Sequence, residues 1–586
     1  MRQEFAPETA RSVLLFVNFP RYNTRERILP DIGNGSIIVL GGDKMRPKLE
    51  EMTLREKIGQ TGMPSPTHLR DGVLECGSYA AYFKKYPFCG FYMSKNAIKP
   101  DGEKFSDAEE SCKMFDEANK QLPIPLLIAG DCEFGASRLF SDLHTISSNM
   151  SLGAARKGEL AYKRSYYWAR EMRSAGVNWP FGPVVDLHTN FFATSGIRRI
   201  GKDPALVAEI VPYIIKGIHD AGCATSAKHF PGASNDYRDS HFSPNVNTIS
   251  RERWYANDFK VWKAAVDAGA MSLMTSHSHI PAFDNSCARG DIPRPATASK
   301  KIIDLARVDL QYDGVMITDA VNMKSLAAAF EHDDIYIECF LAGHDMILFT
   351  DNDYIDVMEK AVLDGRITEA QIDEACRRVL DLKEKIGLFD DKPMGERLTE
   401  EEIDDFEQTL YNVAKNAMTL ITNRGNMIPF DAAKVKRVTI INVAPDEQFQ
   451  KDLVYMKEAF ERRGIEVEIL ERLRTKAQLK AISESSDIIV YACYLASSRP
   501  IGMSVYSRPM EMNTLFHSLS YGATKSVCVS FGSPSIYYNY FECADAFINA
   551  YSDDKGTFQA FVDGILGEFP FVGKSPVPLR PVFAED

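Results

Sequence analysis

The sequence predicts an α/β protein: a (β/α)8-type (TIM-like) barrel followed by a smaller α/β sandwich domain. Three observations carry this. Short apolar runs alternate with segments of helical spacing from about residue 50 to about residue 390. The runs are apolar on both faces, as strands of a parallel sheet covered by helices on each side must be. Polar residues recur directly after the runs, at the strand ends where barrel enzymes collect their reactive side chains.

Taken in order, the strand candidates of the barrel are residues 88–93 (FCGFYM), 125–129 (PLLIA), 177–185 (VNWPFGPVV), 223–227 (CATSA), 272–275 (SLMT), 314–317 (GVMI) and 346–349 (MILF). Helical spacing fills most of the intervals, as at 204–220 and 256–268. Asp131 and Glu133 follow the second run, Asp186 and His188 the third, Lys228 and His229 the fourth, His277 and His279 the fifth, and Asp319 the sixth. An Asp after a strand is often only a helix cap, but five such coincidences in one chain read as a site. A long helix at 369–386 ends on Gly387, a natural C-cap, and a charged stretch with Pro393 breaks the pattern. A helix at 401–419 and strands at 438–443, 467–470, 487–491, 526–530 and 546–550 form the second domain. The expected division is 1–50 as an N-terminal extension, 51–388 as the barrel, 389–400 as a linker and 401–586 as the sandwich. Within the extension, 12–19 and 36–40 are strand candidates, placed as a cap on the barrel floor or as an edge hairpin.

Composition narrows the function classes. Of the 586 residues, 45% are hydrophobic and 25% charged, which excludes a mainly disordered chain. The net charge of -13, from 81 acidic and 68 basic side chains, disfavours nucleic acid and anionic lipid as general partners. No apolar stretch is long enough to span a membrane. The 11 cysteines are scattered and form no CxxC pair, so they read as free thiols of a reducing compartment. The run at 13–17 (VLLFV) is too short for a secretory segment. The expected location is cytoplasmic. The oligomeric state stays open.

Two constellations carry chemistry. In residues 228–241 two histidines, a lysine and two aspartates follow a strand and enter a Gly/Ser/Asn loop. Asp239 and His241 are two apart, so in a turning loop they can meet. A carboxylate on one imidazole nitrogen fixes the tautomer and makes the other nitrogen a better general acid/base. Asp319 should emerge at the barrel rim, where a carboxylate serves as nucleophile, acid/base or metal ligand.

With these residues in view, the chain resembles a family 3 glycoside hydrolase of the β-N-acetylglucosaminidase branch in its two-domain form, over about residues 50–586. The segment 52–60 (MTLREKIGQ) is similar to the family's opening helix, and 131–135 (DCEFG) to its D-x-E-x-G signature. Residues 198–204 (RRIGKDP), 228–232 (KHFPG) and 239–241 (DSH) match further motifs in the same order. The resemblance implies that Asp319 is the nucleophile and that His241, polarised by Asp239, is the acid/base. It implies that Asp131, Arg138, Arg198, Lys228 and His229 bind the terminal sugar, with no metal and no cofactor. Departures are Arg138, one residue earlier than the family's arginine, Ala233-Ser234 for His-Gly, Arg199-Ile200 for Ser-Phe, and Ala320 for an acidic residue. The implied partner is a carbohydrate and the implied activity a retaining, exo-acting β-N-acetylhexosaminidase. The alternatives are a β-glucosidase or glycoside phosphorylase of the same family, a metal-dependent barrel hydrolase using His277 and His279 with His229 and Asp319, and a non-catalytic sugar-binding protein. The stretch 497–508 is a candidate for reaching the barrel rim.

Overall fold

The computed structural model describes residues 45–190, 196–232, 236, 238–390, 395–444, 446–471, 475–495, 525–536 and 545–579. The strand candidates at 12–19 and 36–40, Ala233-Ser234 and the stretch 497–508 lie outside them.

Eight parallel strands close a barrel, in agreement with the predicted fold class. They are β1 (Gly62–Pro64), β2 (Gly90–Tyr92), β3 (Leu127–Gly130), β4 (Trp179–Pro180), β5 (Ser226–Phe230), β6 (Ser272–Thr275), and, after the hairpin β7 (Cys287–Arg289) and β8 (Ile292–Pro293), β9 (Val315–Thr318) and β10 (Ile347–Thr350). Ladders join β2, β3 and β4, and β5, β6 and β9, while β10 pairs with β1. The joins are the Cys89 N–H to the Gly62 carbonyl, and bridges at Val184–Lys228 and Ile317–Met346. Met63, Cys89, Leu127, Trp179, Met274, Ile317 and Leu348 fill the barrel interior, one contribution from almost every strand. At the floor, Lys383 is buried and donates to Gln60 Oε1 (2.7 Å), the Cys89 carbonyl (2.8 Å) and the Pro125 carbonyl (2.7 Å). A buried ammonium is tolerated there because every proton has an acceptor.

Four elements differ from expectation. β1 was not foreseen: three residues with a Gly and a Pro carry no strand periodicity, and β10 recruits them. The strand expected at 177–185 contracts to Trp179–Pro180 plus one bridge, because Pro180 and Pro183 cannot donate to a ladder. β5 begins and ends later than expected, so Lys228 and His229 lie within it. The helix expected at 401–419 ends at Ala417, and Thr419 opens β11 (Thr419–Asn423).

The second domain has a six-stranded sheet ordered β11, β16 (Ala546–Asn549), β15 (Ser526–Ser530), β14 (Ile488–Cys493), β12 (Arg437–Asn442), β13 (Glu466–Leu470). All pairs are parallel except β11–β16. The helices Glu400–Ala417, Glu447–Glu461 and Lys555–Ile565 cover one face, through Ala414, Phe449, Leu453 and Phe558. Leu479 and Ile482 of Lys476–Ser485 cover the other, giving the α/β sandwich. Helix Glu400–Ala417 also packs on barrel helices Asn149–Ala155 and Gly158–Ser174. Ser148 Oγ donates to the Tyr551 carbonyl (2.8 Å), and Lys202 N–H to the Pro576 carbonyl (3.0 Å), so the sandwich buttresses the side of the barrel.

Candidate active site

The C-terminal ends of β3, β5 and β9 bring most of the expected residues together. The centre is one that was not assigned a role: Glu133. Its Oε1 accepts from Arg198 Nε (3.0 Å), Arg198 Nη2 (2.5 Å) and Lys228 Nζ (2.8 Å), and its side chain is only 8% exposed. Lys228, 1% exposed, also pairs with Asp131, whose other oxygen accepts from the Tyr92 hydroxyl at 3.3 Å. Burial alone would raise the Glu133 carboxyl, but Arg198 and Lys228 outweigh it and hold the group well below the ordinary range. For Lys228, burial lowers, but Asp131 and Glu133 prevail and raise it. The result is a two-cation, two-carboxylate cluster whose Asp131 side chain is the part open to solvent.

His229 stands beside this cluster on β5. Its Nδ1 lies 2.7 Å from Asp186 Oδ2, and its N–H donates to Asp186 Oδ1 at 3.1 Å. A carboxylate only accepts, so Nδ1 carries the hydrogen and Nε2 is left for the site. Asp186, noted at its strand end but given no role, is 1% exposed and supplies that orientation.

Asp319 follows β9. Its N–H donates to the Thr275 carbonyl (3.2 Å), and its Oδ1 accepts from the Ala320 N–H (2.7 Å). Burial pushes the carboxyl upward. The neighbouring His229 and His277, the Ala320 N–H and Lys228 overcome it and keep the group below its usual value, hence ionised at neutral pH. An ionised, half-buried carboxylate flanked by cations is a nucleophile held ready.

Asp239 and His241 do meet. His241 Nδ1 is 2.6 Å from Asp239 Oδ1, and the His241 N–H donates to the same oxygen at 3.0 Å. Asp239 is 2% exposed and His241 is open to solvent, so the pair presents its Nε2 outward. The loop is fastened to the segment beyond Asp319: the Lys324 N–H donates to the His241 carbonyl (3.3 Å) and the Ser325 N–H to the Ser240 carbonyl (3.2 Å). An imidazole of fixed tautomer and an ionised carboxylate are thereby held on adjoining segments.

Two expectations are corrected. Arg138 does not join Asp131, Arg198, Lys228 and His229. Its guanidinium lies over the Phe134 ring, 5.4 Å from the centroid, beside Tyr494, Asp553 and Asp446 of the second domain. It lines a cleft of about 850 Å³ between the domains, with His144, Glu407, Asp452 and Lys555. The 3-10 turn Ala136–Arg138 and the acidic groups of the sandwich draw it there. The metal-ligand reading of His277 and His279 also fails. Both nitrogens of His277 are engaged, Nδ1 by Thr297 Oγ1 (2.7 Å) and Nε2 by the Ala320 carbonyl (2.9 Å), and His279 Nδ1 faces the Arg294 carbonyl (3.0 Å).

Comparison with known proteins bears on this site. The family model described as "Glycosyl hydrolase family 3 N terminal domain" matches residues 53–382. A relative from Cellulomonas fimi, named "Beta-N-acetylglucosaminidase/beta-glucosidase", is 29% identical over 483 residues, covering 78% of this chain and 84% of its own length. The solved structure of a glycoside hydrolase family 3 beta-N-acetylglucosaminidase from Paenibacillus sp. str. FPU-7 superposes with a TM-score of 0.75 at 22% identity, covering 90% of this chain and 99% of that one. A solved beta-glucoside phosphorylase gives a TM-score of 0.76 at 21% identity, covering 90% and 94%. The family match spans the barrel from its first helix to its last, and the fold is shared across both domains: the chain belongs to glycosyl hydrolase family 3 and is a glycoside hydrolase acting on β-linked sugars.

Proposed function

We propose that the protein is a retaining, exo-acting β-N-acetylglucosaminidase that releases terminal β-linked GlcNAc from oligosaccharides or cell-wall fragments. The observation that supports it is the Asp239–His241 pair, fastened to the segment that carries Asp319. In the first step Asp319 attacks the anomeric carbon. His241 gives its Nε2 proton to the departing glycosidic oxygen, and Asp239 supports the imidazolium before transfer. In the second step the neutral His241 takes a proton from water, which attacks the glycosyl-Asp319 ester and releases the sugar with its configuration retained. Asp131, Arg198, Lys228 and His229 bind the terminal sugar, and Glu133 holds the two cations side by side on its Oε1. No step requires a metal or cofactor. The scattered cysteines favour a reducing, cytoplasmic setting.

A second reading has a specific support. An imidazole acid/base does not repel an anionic acceptor as a carboxylate would, and one structural neighbour is a beta-glucoside phosphorylase. The Cellulomonas fimi relative's name covers both GlcNAc and glucose. A panel of aryl β-glycosides of GlcNAc, glucose and xylose, each with and without phosphate, separates the readings. GlcNAc preference with free sugar as product supports the proposal. Phosphate-dependent turnover yielding a sugar 1-phosphate, or a glucose preference, replaces it.

A further inference from the structure

His277 stands at the end of β6, is buried, and has no part in the chemistry above. Its partners define its state. The Ala320 carbonyl, 2.9 Å from Nε2, can only accept, so Nε2 carries a hydrogen. Nδ1 lies 2.7 Å from Thr297 Oγ1, whose hydroxyl also reaches the Ser276 carbonyl at 2.8 Å. Burial favours the neutral ring, and the nearby His241 and His229 act in the same direction, while Asp319 and the Ala320 carbonyl oppose them. In the neutral state, with Nε2 protonated, Nδ1 competes with the Ser276 carbonyl for the single Thr297 hydroxyl hydrogen. Thr275, two residues before His277, is used elsewhere: His344 donates from Nδ1 to the Cys339 carbonyl (3.0 Å), so its bare Nε2 takes the Thr275 hydroxyl at 2.8 Å.

The turn after β9 is pinned at three points. The Asp319 N–H goes to the Thr275 carbonyl of β6, and the Val321 N–H to the Leu348 carbonyl of β10 (3.0 Å). The third is the Ala320 carbonyl, in the same peptide as the Val321 N–H, which faces His277 Nε2 and also accepts from the Met323 N–H (3.1 Å). Ala320 in turn donates its N–H to Asp319 Oδ1. Two of the pins are backbone to backbone and follow from the strands. At the third, His277 adds a side-chain donor to the Met323 N–H, and the pinned carbonyl is joined through the Ala320 Cα to the N–H that holds the carboxylate.

We infer that His277 is a positioning residue for the nucleophile: its Nε2–H, beside the Met323 N–H, fixes the Ala320 carbonyl, and through the Ala320 Cα and N–H the attacking face of Asp319. The inference rests on the reading of Asp319 as nucleophile. A small displacement of a reacting atom costs on the order of 10²-fold in rate, so the effect falls on the covalent step and spares ground-state binding.

The experiment follows trapping of the glycosyl-enzyme by 5-fluoro-β-N-acetylglucosaminyl fluoride, or by its glucosyl counterpart if the aryl panel selects glucose. Intact-mass kinetics and peptide mapping are applied to wild type, His277→Ala and His277→Gln, with thermal unfolding as a check on folding. Gln places an amide N–H near the position of Nε2. The expected result is label on Asp319 in all three proteins. The trapping rate should fall roughly 10²-fold in His277→Ala and recover to within about tenfold of wild type in His277→Gln, with half-saturation by the probe changed less than about threefold. If His277→Ala fails to fold, His277→Asn, whose shorter side chain cannot reach the Ala320 carbonyl, takes its place and should trap roughly 10²-fold slower than His277→Gln. A His277→Gln variant that folds but traps 10²-fold slower overturns it, as does His277→Ala trapping at the wild-type rate. Label on another residue in wild type would instead remove the nucleophile reading and leave the His277 hydrogen bonds without that role.

Discussion

Glu133→Gln is the substitution that most directly probes the electrostatics of the cluster. It keeps the shape of the side chain and removes the charge that faces Arg198 and Lys228. The structure sets the size of the effect. Glu133 accepts three hydrogen bonds from two buried cations, and Lys228 keeps only Asp131 when it is lost. Breaking a buried pair so that charge is left uncompensated costs about 3–5 kcal/mol. The amide retains one acceptor oxygen and Lys228 retains a partner, so about 3 kcal/mol is the figure to expect. Its pH dependence is also determined. The folded carboxyl lies below its unfolded value, so its contribution is complete above the unfolded pKa near 4.5 and is lost as pH falls below it. The assay is convenient: all four tryptophans, Trp168, Trp179, Trp254 and Trp262, lie in the barrel, so their fluorescence in urea follows barrel unfolding apart from the sandwich. The variant should unfold at lower urea at pH 7 and show a flatter loss of stability toward pH 4. A variant within 1 kcal/mol of wild type, with an unchanged acid limb, refutes the reasoning.

Other outcomes follow from single residues. His241→Ala should hydrolyse a natural disaccharide at least about 10²-fold more slowly while nearly sparing glycosylation by a dinitrophenyl glycoside, and azide should speed turnover of the latter. Equal losses on both substrates with no azide effect would point to another acid/base. Burial, with the charge of Asp186, pushes the Asp258 carboxyl up to about 7 from the ordinary aspartate value of 3.8. Folded protein then binds the extra proton between those values, so stability falls as pH rises from about 4 to 7, by about 4 kcal/mol from this group. Asp258→Asn should flatten that slope and be the more stable protein at pH 8; an unchanged urea midpoint profile contradicts it. Exhaustive EDTA treatment should leave activity intact, and an inactive chelated enzyme restored by Zn²⁺ or Mn²⁺ would reinstate a metallohydrolase.

The barrel is legible where a strand is a run of apolar residues closed by a polar one, as at β6 and β9. It is not legible at β1, whose three residues are strand only because β10 lies alongside. Nor is β11 legible, because Met418, Leu420 and Ile421 continue the apolar character of the preceding helix. The same division runs through the site. Asp239 and His241 are two residues apart, so their contact is a local matter that spacing can show. Asp319 is announced by the strand before it. Glu133 is a hub only because Arg198, 65 positions on, and Lys228, further still, fold over it. Arg138 lies in the expected loop, yet its direction is decided by Asp446, Tyr494 and Asp553, which come hundreds of residues later. His277 looked like a metal ligand because two of its neighbours in space, Thr297 and Ala320, are not its neighbours in sequence.

The central claim is a covalent glycosyl-Asp319 formed and resolved with one acid/base, and the anomer released first reports on it directly. Proton NMR of an aryl β-N-acetylglucosaminide digest, recorded within the first minutes and before mutarotation, should show the β-anomer appearing ahead of the α-anomer. Initial release of the α-anomer would mean direct attack by water on the substrate, with no glycosyl-aspartate on the path.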